Sequence, residues 1–472
     1  WLKCTAILLA TSCIDAETVV RLLSGTLVSD LMNDASSGQG VVQRTSSELG
    51  VPIQRWRKAL RLGAWSRKSE DVGDAQMLGE SLLQGKSSSS TGDSQVQVLL
   101  KMLFFRPTSV LLLALPFGLC ASLLGLRPIQ AFWLNLLPLI ALAQILGDAT
   151  EELAAALRNE TLGGLLNATF GNAIEMILTV QSLRKGMITL VKAQLLGSVL
   201  SNLLLVLGSA LFIGGLWGGP VGKVQTFNAQ AAMANVTMLF LASASFALPT
   251  VFYNMPAVVA HTPRDPDDET LAVSRYASIY ILLSYTAFLV YQLYTHIKLF
   301  EKDEDETQEE ARLSIPVSIS LLFATSAVVA VSSEVLLDAI DGFVANWGVG
   351  ETFIGIILLP IAGNACEHLG AIRMAVEDKL DITIGIAVGS ATQIALLVVP
   401  FAVQVGWLIS QPMDLNFDPL NILVMASASI VVSSTVQDGL GTWIQGFMLM
   451  MAYFIIATLY WFMPNEDAVD AL

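Results

Sequence analysis

Two glutamates stand inside apolar stretches of the sequence, each at the end of a Gly-Asn-x-x-Glu motif. The motifs are Gly171-Asn172-Ala173-Ile174-Glu175 and Gly363-Asn364-Ala365-Cys366-Glu367. Neither glutamate has a Lys or Arg within five residues on either side. A charge inside a membrane span costs on the order of 3 kcal/mol, so a sequence keeps it only where it is satisfied or functional. A bound cation would satisfy both carboxylates. The structural alternative is a protonated glutamate bonded to a backbone carbonyl.

The residues around the glutamates favour a hard divalent cation. Gly171 and Gly363 lie one turn before the glutamates, and Pro360 precedes the second motif, so both helices should loosen and free carbonyl oxygens. Ca²⁺ takes about 6–8 oxygen ligands in flexible geometry, whereas copper and zinc prefer softer sulfur and nitrogen donors. The predicted metal-binding residues are Glu175, Glu367, Asn172, Asn364, Gly171 and Gly363.

The same carboxylates suit ion exchange, because protons and Ca²⁺ compete for the same oxygens. Binding one releases the other. One proton that moves down one pH unit yields about 1.4 kcal/mol, so two protons crossing two units would sustain roughly a 10⁴-fold calcium gradient without a voltage. The expected substrates are therefore a divalent cation and H⁺, and we expect no cofactor.

An internal repeat relates the two motifs. Glu367 follows Glu175 by 192 residues, and Gly389-Ser390 follows Gly197-Ser198 by the same 192. Each half of the repeat contains five predicted apolar spans. Because five is odd, the halves must enter the membrane from opposite sides, which is typical of transporters with a mid-membrane site between inverted halves.

The composition places these elements in a lipid bilayer. Of 472 residues, 54% are hydrophobic and only 14% are charged, with a mean hydropathy of +0.63. Soluble domains carry about a quarter charged residues. We predict an all-α integral membrane protein with about 11 transmembrane helices, one plus two inverted five-helix repeats. The predicted spans are 110–124, 131–146, 162–183, 190–216, 229–252, 274–296, 315–337, 352–376, 382–409, 420–436 and 443–462.

The spans divide the chain into regions. Residues 301–310 hold seven carboxylates and one lysine, and they form either a solvated linker or a surface that gathers cations. Lys101 and Arg106 precede the first span and favour a cytosolic N-terminus. The predicted regions are a mostly disordered cytosolic tail (1–100), an extra first span (107–126), the first repeat (129–298), the acidic linker (299–313), the second repeat (314–463) and a short C-terminal tail (464–472).

The motifs resemble those of the cation/proton exchanger family of the calcium/cation antiporter superfamily. The resemblance lies in residues 163–175, in the GNxxEH sequence 363–368 and in the partner-helix sequences 197–202 and 389–393, and it covers about residues 101–463. It implies exchange of Ca²⁺ or Mn²⁺ for H⁺ across a vacuolar or similar acidic-store membrane. Cys366 stands where the family more usually has Ala. The family's polar partner-helix residues correspond to Ser198, Ser201, Ser390 and Gln393.

Three further ionisable residues each have a structural and a functional interpretation. His368 directly follows Glu367 and so points to another helix face, either as a packed histidine or as a proton-sensitive group, since histidine titrates near pH 6.5. Glu152 and Glu334 lie near span ends, either as solvated charges or as a relay toward the central site.

Other functional classes find little support. The net charge of −15 argues against nucleic-acid binding, and the four cysteines do not form a disulfide framework. No P-loop, HExxH or GxSxG motif suggests an enzyme. The alternatives that remain are a divalent cation channel and a sodium-driven calcium exchanger, and the oligomeric state is left open.

Overall fold

The computed structural model describes residues 95–157, 160–217, 222–255, 266–300 and 311–463. Most of the predicted cytosolic tail, most of the acidic linker and the C-terminal tail lie outside these residues. The last residues of the predicted tail, from Gln95 onward, are helical.

The first half of the described chain is a series of helices, one span of which is broken at Asn172. An entry segment consists of α1 (Gln95–Phe104), a 3₁₀ helix (Pro107–Ala114) and α2 (Leu115–Leu119). A short strand, β1 (Gln225–Thr226), precedes α8. The helices are α3 (Pro128–Leu157), α4 (Glu160–Phe170), α5 (Ala173–Arg184), α6 (Ile188–Leu200), α7 (Leu207–Leu216), α8 (Ala229–Tyr253), α9 (Pro266–Val290) and α10 (Ile297–Phe300).

The second half repeats this order. Its strand β2 (Leu440–Gly441) pairs antiparallel with β1, Gln225 opposite Gly441, and is the one departure from an all-helical fold in the described residues. Its helices are α11 (Ile315–Asp338), α12 (Ile340–Trp347), α13 (Glu351–Phe353), α14 (Leu359–Gly363), α15 (Ala365–Val376), α16 (Leu380–Gln393), α17 (Val399–Leu408), α18 (Pro419–Val436) and α19 (Trp443–Trp461).

Short π-helical segments occur within or beside the long helices of both halves. A π turn inside an α-helix is frequently found at a functional site. One joins α6 to α7, one follows α9, one joins α13 to α14 and one joins α16 to α17. These π segments are Ser201–Val206, Tyr291–Thr295, Ile354–Leu358 and Ile394–Val398.

The membrane fold is confirmed, whereas the predicted number of 11 spans is not. In the described residues, 8 helical segments are long and apolar enough to cross a bilayer, or up to 10 if two bent pairs count as one span each. The predicted spans 162–183 and 352–376 are both broken at an asparagine. The predicted first span, 110–124, is the 3₁₀ helix and α2, which bend by 72° from α1.

Proline and capping residues explain where several helices begin. Pro128 and Pro419 occupy the first positions of α3 and α18, where a missing N–H is not needed. Asn228 caps α8 by accepting bonds from the backbone N–H groups of Gln230 and Ala231. These starts are local properties of the sequence, which is why the predicted spans fall close to the observed ones.

The two halves exchange equivalent contacts. Helix α5 packs against α11, the first helix of the other half, and α15 packs correspondingly against α3. Likewise α7 packs against α19, and α17 packs against α9. Swapping the halves leaves this contact pattern unchanged, as expected for halves related by a two-fold axis. The predicted inversion of the halves agrees with this pattern.

A loop contact also joins the halves outside the spans. The Gln225 side chain donates a 2.6 Å hydrogen bond to the Asp378 carboxylate and a 2.8 Å bond to the Ala375 carbonyl. Together with the Lys223 ammonium 3.3 Å away, the Gln225 bond holds the pKa of Asp378 below its usual value. Gln225 also belongs to β1, so the β1–β2 pair is a second link between the two halves at this point.

Equivalent glycines in the two halves are packed differently. A methyl group at Gly197 of α6 would lie within 2.7 Å of the Ile356 carbonyl carbon, so α6 and the π segment 354–358 cross in direct backbone contact. Its repeat equivalent, Gly389 of α16, has nothing within 4 Å of that position, and neither has Gly385. The second half therefore closes on α6, while the glycine face of α16 is open.

This difference predicts opposite effects of one substitution at two equivalent positions. Gly197→Ala should lower stability by about 1–3 kcal/mol, because the methyl group overpacks a backbone contact. Gly389→Ala should leave stability unchanged or raise it by up to about 1 kcal/mol, because alanine is the better helix former. Thermal unfolding of the two purified variants in the same detergent measures this difference. Equal losses of stability would contradict the described packing.

Candidate ion-binding site

The two glutamates occupy equivalent places, each in the first turn of a half-helix that begins at a break. Asn172 precedes α5 with φ −108° and ψ 25°, and Asn364 precedes α15 with φ −84° and ψ 17°, so neither continues the helix before it. Glu175 and Glu367 follow within one turn. A helix N-terminus carries a partial positive charge and favours a nearby carboxylate. The breaks therefore supply part of the stabilisation that buried carboxylates need.

The Glu175 carboxylate lies at the boundary of the halves. Glu175 is only 6% exposed, and a methyl group at Gly363 would stand 3.0 Å from its Oε1 atom. A carboxylate of the first half thus lies directly on the break of the second half. Glu367 holds the equivalent position in the second half, and its Oε2 atom is buried without a hydrogen-bond donor in the described residues. Each carboxylate therefore needs a positive partner or a proton.

The break at Asn172 is held by polar residues from helix α16. The Asn172 Nδ2 atom donates a 2.7 Å hydrogen bond to Gln393 Oε1, and the Ser390 hydroxyl donates to Asn172 Oδ1 at 3.3 Å. Asn202 in turn donates to the Ser390 hydroxyl at 3.0 Å. This chain of bonds runs from the first half to the second and back.

The break at Asn364 is held reciprocally by helix α6. The Asn364 Nδ2 atom donates a 3.1 Å hydrogen bond to the backbone carbonyl of Ser198. Each break asparagine is therefore bound by the partner helix of the other half. These reciprocal hydrogen bonds hold both breaks at the same interface between the halves.

Several buried side-chain oxygens at this interface have no hydrogen-bond donor among the described residues. A buried acceptor without a partner costs free energy, and a carboxylate costs more than an amide. Carboxylate and amide oxygens are also the ligands that Ca²⁺ takes. No group of three or more His, Cys, Asp or Glu side chains in the described residues could hold a metal ion, so two carboxylates would act with neutral oxygens. The oxygens without a donor are Glu175 Oε1, Glu367 Oε2, Gln194 Oε1, Asn202 Oδ1 and Asn364 Oδ1.

Two cavities lie near these helices. The smaller, about 10 Å³ with room for one water molecule, adjoins Glu175 and is lined by Leu178, Gln194, Leu195, Ser198, Leu359, Pro360 and Gly363. The larger, about 500 Å³, lies where α5 and α11 end and contains the Lys185–Asp338 ion pair with Asp341 and Glu351. The larger cavity is an acidic vestibule that does not include either site glutamate.

The remaining predicted residues lie at different distances from this interface. Ser201 is buried in a π segment, and its hydroxyl has no hydrogen-bond partner among the described residues. The His368 Nε2 atom lies 2.8 Å from the Ser209 hydroxyl on α7, as a packed histidine would. Its predicted proton-sensitive role remains a prediction.

The two predicted span-end glutamates lie outside the central interface. Glu152 accepts bonds from the backbone N–H groups of Arg312 (2.8 Å) and Leu313 (3.1 Å), which anchors the chain before α11. Glu334 is exposed on α11, and its backbone carbonyl accepts a 3.2 Å bond from Lys185. The proposed relay through these two residues also remains a prediction.

Sequence reasoning missed two buried amides of the first half. Gln194 lines the small cavity and donates a 2.9 Å bond to Thr179, and Asn202 bonds Ser390 as described above. Both are amide side chains inside a predicted membrane span, which is the signal that could have identified them. The repeat offset pairs them with Ile386 and Ile394, so a search for matched polar residues overlooks them.

Comparisons with known proteins agree with this architecture. The chain matches the family described as "Sodium/calcium exchanger protein" over residues 128–294 and 317–462. It is 40% identical over 362 residues to Vacuolar cation/proton exchanger 1 of Arabidopsis thaliana, covering 75% of this chain and 77% of the relative. It is 36% identical over 361 residues to the Vacuolar calcium ion transporter of Schizosaccharomyces pombe, covering 76% and 85%.

Solved structures show the same fold. The selenium-substituted Ca²⁺/H⁺ antiporter protein YfkE superposes with a TM-score of 0.63 at 34% identity, covering 75% of this chain and 99% of that one. The H⁺/Ca²⁺ exchanger CAX superposes with a TM-score of 0.56 at 14% identity, covering 75% and 92%, and supports the fold alone. The resemblance stated from the motifs is therefore confirmed, and the chain belongs to the sodium/calcium exchanger protein family, with vacuolar cation/proton exchangers among its relatives.

Proposed function

We propose that the chain is a Ca²⁺/H⁺ antiporter that moves the divalent cation, Ca²⁺ or Mn²⁺, from the cytosol into an acidic store by alternating access. Glu175 and Glu367 bind the cation or protons in turn. The observation that carries this proposal is the pair of buried carboxylate oxygens, Glu175 Oε1 and Glu367 Oε2, that lack a donor at the boundary of the halves.

The charge of the glutamate pair explains why exchange would be obligatory. Two carboxylates with one divalent cation carry no net charge, and two carboxylates with two protons carry none either. The empty pair carries two negative charges in a low-dielectric environment, which is costly. Conversion between the two access states is therefore favoured only when the pair holds a cation or protons. Each crossing then carries one ligand or the other.

The unequal packing of the halves supports alternating access. Helix α14 and its π segment close on Gly197 of α6, whereas the equivalent face of α16, at Gly385 and Gly389, is open. If α4 packed on α16 while α14 moved away from α6, the closed and open sides would exchange. A channel needs no such pair of states, because its pathway is continuous.

The relatives' names support the membrane, and the charges before the first span support the orientation. The relatives at 40% and 36% identity are both described as vacuolar, which supports a vacuolar or similar acidic-store membrane. Lys101 and Arg106 before the first span support a cytosolic N-terminus. Absence of the tagged chain from the purified vacuolar membranes of cells that express it would contradict this location.

Neutralising either glutamate should stop exchange. Glu175→Gln and Glu367→Gln keep the side-chain volume but remove both the charge and the proton acceptor, so each should lower ⁴⁵Ca²⁺ uptake into proteoliposomes at least tenfold. Thermal stability should be retained, since a buried neutral amide replaces a buried acid. Glu377→Gln, on the exposed end of α15, is the control and should transport normally. Normal uptake by either site variant would eliminate the two-carboxylate site.

Apparent cytosolic Ca²⁺ affinity should fall as cytosolic pH is lowered. Protons neutralise the same oxygens that bind Ca²⁺, so added protons favour the calcium-free state. The measurement combines ⁴⁵Ca²⁺ flux with an internal pH dye across a pH series, with the voltage clamped by valinomycin and K⁺. Calcium flux without opposite proton flux would identify a channel. Uphill calcium flux that requires Na⁺ and no pH gradient would identify a sodium-driven exchanger.

Removing the amide that holds the first break should weaken cation affinity. Gln393→Ala removes the hydrogen bond to Asn172, so the helix break is no longer held beside Glu175. We expect half-maximal uptake to require about a threefold to tenfold higher Ca²⁺ concentration. Gln404→Ala is the matched control, because this glutamine of α17 bonds Ser278 away from both breaks. Equal affinities of Gln393→Ala and the unmodified protein would remove Gln393 from the site.

A further inference from the structure

Each half contains one tyrosine whose hydroxyl is buried without a hydrogen-bond partner among the described residues. Tyr285 of α9 is 3% exposed and Tyr453 of α19 is 1% exposed. Both stand in the last membrane-spanning helix of their half. A buried hydroxyl without a partner is unfavourable, and a phenylalanine would fill the same space without that cost. The recurrence of the hydroxyl in both halves therefore calls for a role that this conformation does not display.

Tyr453 lies level with the π segment of the first half. Helices α7 and α19 run antiparallel in close contact, with Gly215 against Trp443 and Gly208 against Leu449 and Met450. One turn further along α19, Tyr453 reaches the segment Ser201–Val206, which packs against α19. The hydroxyls of Tyr453 and Ser201 both lack a hydrogen-bond partner among the described residues.

Tyr285, in the first half, has the equivalent place beside the π segment of the second half. Gln404 of α17 donates a 2.6 Å bond to Ser278, and the backbone N–H of Leu415 donates a 2.9 Å bond to Ser274, so α9 runs antiparallel to α17. Two turns beyond Ser278, Tyr285 is level with the π segment Ile394–Val398, against which α9 packs. Each tyrosine thus faces the π segment of the other half.

These π segments adjoin the polar residues of the ion site. Asn202, which bonds Ser390, lies inside the first segment, and Gln393, which bonds Asn172, immediately precedes the second. A π turn can convert to α-helix by a one-residue change in its backbone bonds, and so has two discrete arrangements. Such a change would move Asn202 or Gln393 relative to the glutamates.

We propose that Tyr285 and Tyr453 are positioning residues for ion exchange, and that each hydroxyl bonds to the π segment it faces in the alternate access state. This inference rests on the antiporter function proposed above. The bond would exist in the alternate state and is absent in the described one. Tyr→Phe should therefore stabilise the described state relative to the alternate state and slow the conversion between them.

The test compares two variants, Tyr285→Phe and Tyr453→Phe, in proteoliposomes and in detergent. We expect the maximal Ca²⁺/H⁺ exchange rate to fall about threefold to tenfold, which is the effect of one lost hydrogen bond on a two-state equilibrium. The melting temperature should be unchanged or higher, because no bond is lost from the described state. A purely structural tyrosine would lose stability instead.

Two tyrosines serve as matched controls. Tyr460 lies in the same helix as Tyr453, and its hydroxyl donates a 2.5 Å bond to Asn421, so Tyr460→Phe should lower the melting temperature while the exchange rate per folded molecule is kept. Tyr280 of α9 is 66% exposed, and Tyr280→Phe should change neither quantity.

The outcomes separate the inference from the proposed function. Unchanged exchange rates in both Tyr285→Phe and Tyr453→Phe would overturn the inference, as would a loss of melting temperature as large as that of Tyr460→Phe. Slow exchange with retained stability would support it. If the unmodified protein does not couple Ca²⁺ flux to H⁺ flux, the proposed antiporter function itself is wrong.

Discussion

Two carboxylates buried between the halves of a membrane protein are the constraint on which the rest of the structure depends. Glu175 and Glu367 sit at the N-termini of half-helices, where the backbone partly offsets their charge. The broken helices are tolerated because Asn172 and Asn364 are bonded by the opposite half. Gly363 has no side chain where the Glu175 carboxylate needs room. What this arrangement leaves unsatisfied is positive charge, which a cation or protons would supply.

The repeat gives the protein two packings of the same design. In the described state the contact at Gly197 is closed, and the one at Gly389 is open. If the proposed alternate state exchanges these packings, it replaces one set of contacts with an equivalent set, and the two states then differ little in free energy. The large energetic term is then the charge of the glutamate pair. The charge of the pair would then determine when the protein changes conformation. The packing would determine which two conformations it changes between.

The sequence predicts the breaks and the paired glutamates because Gly, Asn, Pro and Glu inside apolar stretches are local signals. It does not predict the number of spans, because hydropathy measures apolar length and does not register the helix break at Asn172. The sequence does not predict the hydrogen-bond donors to Glu152 either. The N–H groups that it caps, at Arg312 and Leu313, are about 160 residues away in sequence. Gln194 has no polar counterpart in the second half, so the repeat does not identify it.

The departures from the repeat are as informative as its matches. The first half supplies Gln194 and Asn202 where the second has Ile386 and Ile394, while the second supplies Gln393 where the first has Ser201. A single ion on a symmetric interface would meet the same ligands from both sides, and the two access states would bind it equally. Unequal amides give the two faces different ligand sets. The inequality lies at the glutamates themselves, because Gln194 lines the cavity beside Glu175 and Gln393 bonds the asparagine of the first break.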